Sequence, residues 1–151
     1  MLRAQFTDAL KTAMKAHDAA AVSTLRMILS TLKDRDIAAR GQGNPDGIGD
    51  AEVQGMLQAM IKQRRESAAL YEQGARPELA AKELAEVGLI EGFLPKQLDD
   101  AAVEQAVAAA IAEAGAASPK DMGRVMALLR DRHAGQMDFS KASGIAKKLL
   151  G

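Results

Sequence analysis

The chain of 151 residues carries 20 Lys and Arg against 20 Asp and Glu, is 48% hydrophobic and only 3% aromatic, and has no Cys and no Trp. Its length suits one domain or two small ones and excludes a large multidomain enzyme; without Cys there is no disulfide framework, thiolate nucleophile or Cys-ligated zinc, so a cytoplasmic protein is expected. Zero net charge excludes nucleic-acid binding by global attraction and requires a local basic patch for it, and the lack of an apolar run of about 18 residues predicts neither a membrane span nor a signal peptide.

Ala, Leu, Met and Ile carry most of the hydrophobic share, and the first three favour helix strongly, whereas there are only three Phe and one Tyr. An all-α chain is expected. From Leu2 to Lys15 the residues Leu2, Phe6, Ala9, Leu10, Ala13 and Met14 recur at three and four, one apolar stripe of a first helix that ends at His17. Asp18 suits an N-cap, and Val22, Leu25, Ile28, Leu29 and Leu32 carry a second helix to about Ala39. The segment GQGNPDGIG over 41–49 is then expected to be a flexible link.

Asp50 as N-cap, with Val53, Met56, Leu57, Met60, Ile61, Ala68 and Tyr71, predicts a third helix that Gly74 stops. Pro77 fits the first turn of a fourth, which carries Leu79, Leu84, Val87, Leu89, Ile90 and Phe93 before a break at Leu94-Pro95. Asp99 or Asp100 caps a fifth helix with Val103, Val107 and Ile111, ended by Gly115. Ser118-Pro119 then opens a sixth with Met122, Val125, Met126 and Leu129, ended by Gly135, and a last one from about Ser140 holds Ile145, Leu149 and Leu150. The expected architecture is an N-terminal helical domain of about four helices over 1–94 and a small three-helix domain over 95–151.

Positive charge concentrates at the end. In the last 28 residues Arg124, Arg130, Arg132, Lys141, Lys147 and Lys148 face only Asp131 and Asp138. This cluster reads either as a solvated face or as a surface for phosphates, which call for mobile cations or Arg forks. Gly123, at the start of the sixth helix, permits close backbone approach by a neighbouring helix, the preferred reading, or by a phosphate. Lys120 in the first turn of that helix stands at the positive end of its dipole, an unfavourable place for a cation unless an external anion is bound there.

A second basic group, Lys62, Arg64 and Arg65, reads as a solvated face. Its alternatives are a second nucleic-acid contact or an inter-domain clamp through a carboxylate such as Glu83 or Glu86. The methionines Met14, Met27, Met56, Met60, Met122, Met126 and Met137, with Met1, are expected to fill the core, a partner-helix groove being the alternative. His17 and His133 form no ligand pair, so no metal and no cofactor are expected. Phosphate-loop and nucleophile-elbow motifs are absent, and Asp99 with Asp100 is explained by capping, so the chain is not expected to be catalytic alone.

Five segments in order, Arg26-Met-Ile-Leu-Ser30, Lys62-Gln-Arg-Arg-Glu-Ser67, Tyr71-Glu-Gln-Gly-Ala-Arg76, Phe93-Leu-Pro-Lys-Gln-Leu98 and Ser118-Pro-Lys-Asp-Met-Gly-Arg-Val-Met126, resemble the GatB/YqeY domain proteins, in particular the free-standing YqeY-like members. The stretch Ala134-Gly-Gln-Met-Asp-Phe139 departs from the pattern. This resemblance implies an N-terminal helical domain joined to a three-helix domain similar to the tail of the tRNA-dependent amidotransferase B subunit, which touches the tRNA elbow. It therefore implies tRNA binding, for which the charge pattern offers Lys120, Gly123, Arg124, Arg130, Lys141, Lys147 and Lys148, and the neutral net charge makes the expected affinity weak. It also implies a link to glutamine-dependent carbon-nitrogen ligation, with amidotransferase or synthetase components as partners. A helical protein-interaction adaptor without tRNA is the competing expectation.

Overall fold

The computed structural model describes residues 1–151 and is all-α. Its helices are α1 (Leu2–Lys15), α2 (Ala19–Gly41), α3 (Asp50–Gln73), α4 (Pro77–Glu91), α5 (Asp100–Ala114), α6 (Met122–Arg132) and α7 (Phe139–Leu150), with a 3-10 turn over Pro119–Asp121 ahead of α6. Contacts cluster the backbone into two compact units, Met1–Leu94 and Pro95–Gly151. The first holds α1 to α4 and the second α5 to α7.

Most helix ends are set by local chemistry. The Asp18 carboxylate accepts the Ala21 N–H at 3.1 Å, Asp99 accepts Ala102 N–H at 2.7 Å and Asp138 accepts Ser140 N–H at 2.9 Å, each satisfying a donor that a helix start leaves unpaired. Pro77 occupies the first turn of α4, and Gly115 ends α5 in the left-handed region at φ 61. Asp50 does not cap α3: Gly49 holds the cap position and Asp50 lies in the first turn, its carboxylate 3.5 Å from the chain's terminal amine. Ser118 likewise makes no side-chain cap. The Pro119 step forms a 3-10 turn and α6 starts three residues later than the sequence predicts, because Asp121 turns back to accept the Ala117 N–H at 3.0 Å.

In the first unit Phe6, Leu25, Ile28, Val53, Met56, Leu57 and Ile90 are fully buried, and the Phe6 and Phe93 rings meet edge to face at 4.9 Å. Each such side chain contributes about 1.5–3 kcal/mol by leaving water, which fixes α1, α2, α3 and α4 around one core. The second unit has a core of its own, built from Val103, Val107, Val125, Leu129, Met137, Ala142 and Ala146. Methionine divides between inside and outside. Met56, Met60, Met126 and Met137 are buried as expected, whereas Met1, Met14 and Met27 are exposed.

The segment over 41–49 is not a free link. Arg3 on α1 forms a two-pronged pair with Asp36 on α2, at 2.6 and 2.8 Å, and its Nη2 also donates to the Ile48 carbonyl at 2.6 Å. Asp36 in turn accepts the Ile48 N–H at 3.0 Å, so both polar groups of the Ile48 backbone are held while its side chain enters the core. Gly47 is required here twice over: its φ is +80, and a Cβ would lie 2.3 Å from Asp36 Oδ1. Periodicity reads only near neighbours, so this clasp among α1, α2 and the loop was invisible to it.

Hydrogen bonding to Arg3, against an opposing burial cost, pulls the Asp36 carboxyl down to about 2. Because the folded value lies below the ordinary carboxylate value near 4, the stabilisation is fully present above that value and is lost as pH falls from about 4 towards 2. Its size at neutral pH is about 2 kcal/mol. Urea unfolding of the wild type should therefore weaken over that acid window more steeply than that of Asp36→Asn, and Gly47→Ala should destabilise at every pH; parallel pH profiles for wild type and Asp36→Asn would contradict the clasp.

Candidate nucleic-acid interface

The second unit positions the cations that the sequence singles out. Helices α5, α6 and α7 pack against one another in every pairing, and the turn between α6 and α7 is fastened to the unit's first residues. There Gln97 Nε2 donates to the Gly135 carbonyl at 2.5 Å, and the Leu98 N–H to the Gln136 carbonyl at 2.9 Å. At the other end of α7, Gly151 lies against the Pro119 ring, where an added Cβ would sit 3.9 Å from its Cδ. Lys120 therefore shares one end of the α6 and α7 pair with Lys147 and Lys148, while Arg130 and Lys141 flank the turn at the opposite end.

These cations differ in what they already hold. Arg124 donates to Asp121 at 2.5 Å, Lys141 is paired with Asp100, and Arg132 with Glu113. The Ala117 N–H, and after it the Arg124 guanidinium, keep Asp121 below the usual carboxylate range; Arg132 does the same for Glu113. Arg130 has no carboxylate and stands 5.8 Å over the Phe139 ring, a cation–π contact of about 0.5–1 kcal/mol at an exposed site. Lys120, Lys147 and Lys148 are exposed and have no partner in the chain. The predicted patch is thus resolved into three free lysines at one end and a set of mostly engaged cations elsewhere.

Gly123 is not a helix crossing point. It is exposed, and a Cβ placed there would meet nothing within 4 Å. The same holds for Gly144 on α7, which the sequence reading passed over. Its signal was the spacing: Lys141, Lys147 and Lys148 stand at minus three, plus three and plus four from Gly144, the positions that share a helix face. Glycine inside a helix costs about 0.5–1 kcal/mol relative to Ala, and here no contact within the unit returns it. Lys96, exposed and unpaired at the start of the unit, is a further cation the sequence reading left out.

The second basic group dissolves as a patch. Lys62 is exposed on α3, but Arg64 is buried: its Nε donates to Glu86 on α4 at 2.9 Å, its Nη1 to the Met60 carbonyl at 3.3 Å, and its Nη2 reaches the Met27 sulfur at 3.0 Å. Arg65 is paired with Glu91. Glu86 is one of the two carboxylates anticipated for Arg64, yet the clamp joins α3 to α4 inside the first unit rather than joining domains.

The family model described as Yqey-like protein matches residues 3–150. Among curated proteins the chain is 34% identical, over 85 residues, to the protein of Vanderwaltozyma polyspora named "Altered inheritance of mitochondria protein 41, mitochondrial". The alignment covers 56% of this chain and 44% of that protein, so the chain spans less than half of the relative's length. No helix is long and apolar enough to cross a membrane.

The two neighbouring arginines of α3 should respond very differently to truncation. Arg64→Ala removes the partner of a half-buried Glu86 and the donor to the Met60 carbonyl and should cost about 1–3 kcal/mol, whereas Arg65→Ala, on a surface pair, should cost under about 1 kcal/mol. Chemical denaturation of the two variants checks this, and similar losses for both would mean that Arg64 is no internal fastener.

Proposed function

The chain belongs to the YqeY-like family, and from that premise we propose that it is a cytoplasmic tRNA-binding accessory protein whose 95–151 unit contacts the tRNA elbow. The supporting observation is the set of three exposed lysines without carboxylate partners, Lys120, Lys147 and Lys148, at one end of α6 and α7. A folded RNA surface presents phosphates and sugar hydroxyls rather than readable base edges, and point charges on flexible stems suit it. Affinity from three lysines is modest and salt-sensitive. Tight binding therefore calls for a partner, and the family resemblance favours components of the glutamine-dependent aminoacyl-tRNA amidotransferase, or a synthetase, as the catalytic side of the assembly.

Gly123 and Gly144 fit the same reading. On a helix face flanked by cations, the missing Cβ lets a phosphate chain approach the backbone more closely than any other residue allows. The concession in helix stability is then exchanged for contact with RNA.

Filter binding of bulk tRNA over a range of salt tests the proposal. Replacing Lys120, Lys147 and Lys148 together by Ala should weaken binding and lower the slope of log affinity against log salt by about one per lysine, while Lys62→Ala leaves both unchanged. Gly144→Ala separates binding from folding: it should raise stability by about 0.5–1 kcal/mol and yet weaken tRNA binding. Curves that coincide for wild type and the triple variant would remove the lysines from the reading.

A further inference from the structure

The corner between α1 and α2 carries a feature that the tRNA reading does not use. The His17 N–H donates to the Met14 carbonyl at 3.2 Å and the Asp18 N–H to the Ala13 carbonyl at 3.0 Å. This is the pair of bonds that ends a helix on a left-handed residue, a place usually given to Gly. Here it holds His17, at φ 54. The strained backbone projects an exposed imidazole that makes no hydrogen bond within the chain.

That imidazole lines a cleft of about 530 Å³ together with Met14 from α1 and Ala19, Val22, Ser23 and Arg26 from α2. The four α2 residues follow the spacing of a single helix face, and the volume lies within the range of about 300–1,000 Å³ usual for small-ligand sites. The cleft is open to solvent: Met14, Ala19 and Val22 give it an apolar side on which Met14 is 49% exposed and Ala19 is exposed as well.

The polar groups beside it are all uncommitted. Ser23 makes no hydrogen bond with its hydroxyl, although Thr7, Thr12, Thr24 and Thr31 in the same two helices each return theirs to a carbonyl one turn back. Arg26 has no ionic partner, as is also true of Arg35 and Arg40 on the same helix, whereas Arg3, Arg64, Arg65 and Arg76 each hold a carboxylate. No acidic residue lines the cleft, and neighbouring Asp18 is engaged as the cap of α2.

We propose that this cleft binds a small organic anion in which one carboxylate or phosphate is joined to an apolar body. Arg26 and Ser23, with the His17 imidazole, hold the head group, and Met14 and Val22 cover the body. A guanidinium and a hydroxyl left without partners beside an apolar surface match both ends of such a molecule, whereas a bare inorganic anion would use only one.

Titrations of the full chain with octanoate, octyl phosphate, octanol and inorganic phosphate, followed by amide proton–nitrogen correlation spectra, test this. The expected result is saturable shifts confined to residues 13–27 with at least one of the two amphipathic anions, the stronger of them identifying the head group. Octanol and inorganic phosphate should bind at least about tenfold more weakly. Arg26→Gln and Met14→Ala, both at exposed positions, should keep the wild-type fold by their spectra and each weaken the preferred anion about tenfold. Absence of shifts at the cleft up to about 10 mM ligand would overturn the proposal. So would inorganic phosphate or octanol binding as well as the amphiphiles, or affinities unchanged in both variants.

Discussion

A chain with as many cations as anions has to settle which charges cancel inside the fold and which are left for solvent or ligand. Where charges are buried the division follows side-chain chemistry, while at the surface Lys141 holds Asp100 and Arg130 holds no carboxylate. Guanidinium forks, planar and multidentate, fasten helices: Arg3 to Asp36 and the Ile48 carbonyl, Arg64 to Glu86, Arg132 to Glu113. The compact, strongly hydrated ammonium groups of Lys120, Lys147 and Lys148 stay in water. This is the assignment that desolvation favours, because a guanidinium gives up less hydration when buried and satisfies more acceptors once there.

Helix content and most helix starts were legible in the sequence because they are local. A capping carboxylate acts on an amide two or three residues ahead, as Asp18 and Asp99 do and as Asp138, outside the expected caps, also does, and a Pro or a Gly acts where it stands. What escaped was non-local or competitive. The clasp at Asp36 joins residues 33 and 12 positions apart, so a Gly-rich segment that looked like a linker is pinned. At Pro119 two local rules competed: the Ser-Pro start lost to Asp121 bonding backwards to Ala117, and Lys120 ended up in a 3-10 turn rather than in an α-helix.

The candidate site was legible in kind but not in composition. Counting charges in the last 28 residues points to a region, yet a count cannot tell a free lysine from an arginine already holding an acid. The acids that engage Arg132 and Lys141, Glu113 and Asp100, come from α5, outside the counted window. A glycine within a short helix suggests a close helix crossing, but the open space beside Gly123 rules that out. Gly144 carries the same geometry and was overlooked because no charge marks it.

The two proposed surfaces draw on the same residue of charge left over from folding, but their dependence on solvent conditions differs in kind. Under the proposed tRNA reading, Lys120, Lys147 and Lys148 act on a polyanion mainly by releasing its counterions, so their contribution fades as salt rises. Arg26 acts beside an apolar surface, and there the burial of the ligand's body is indifferent to screening and strengthens in salts excluded from protein surfaces. The two proposals can therefore be separated in a single preparation: salt that would strip RNA from Lys120, Lys147 and Lys148 would leave the cleft at His17 and Arg26 able to hold an amphipathic anion.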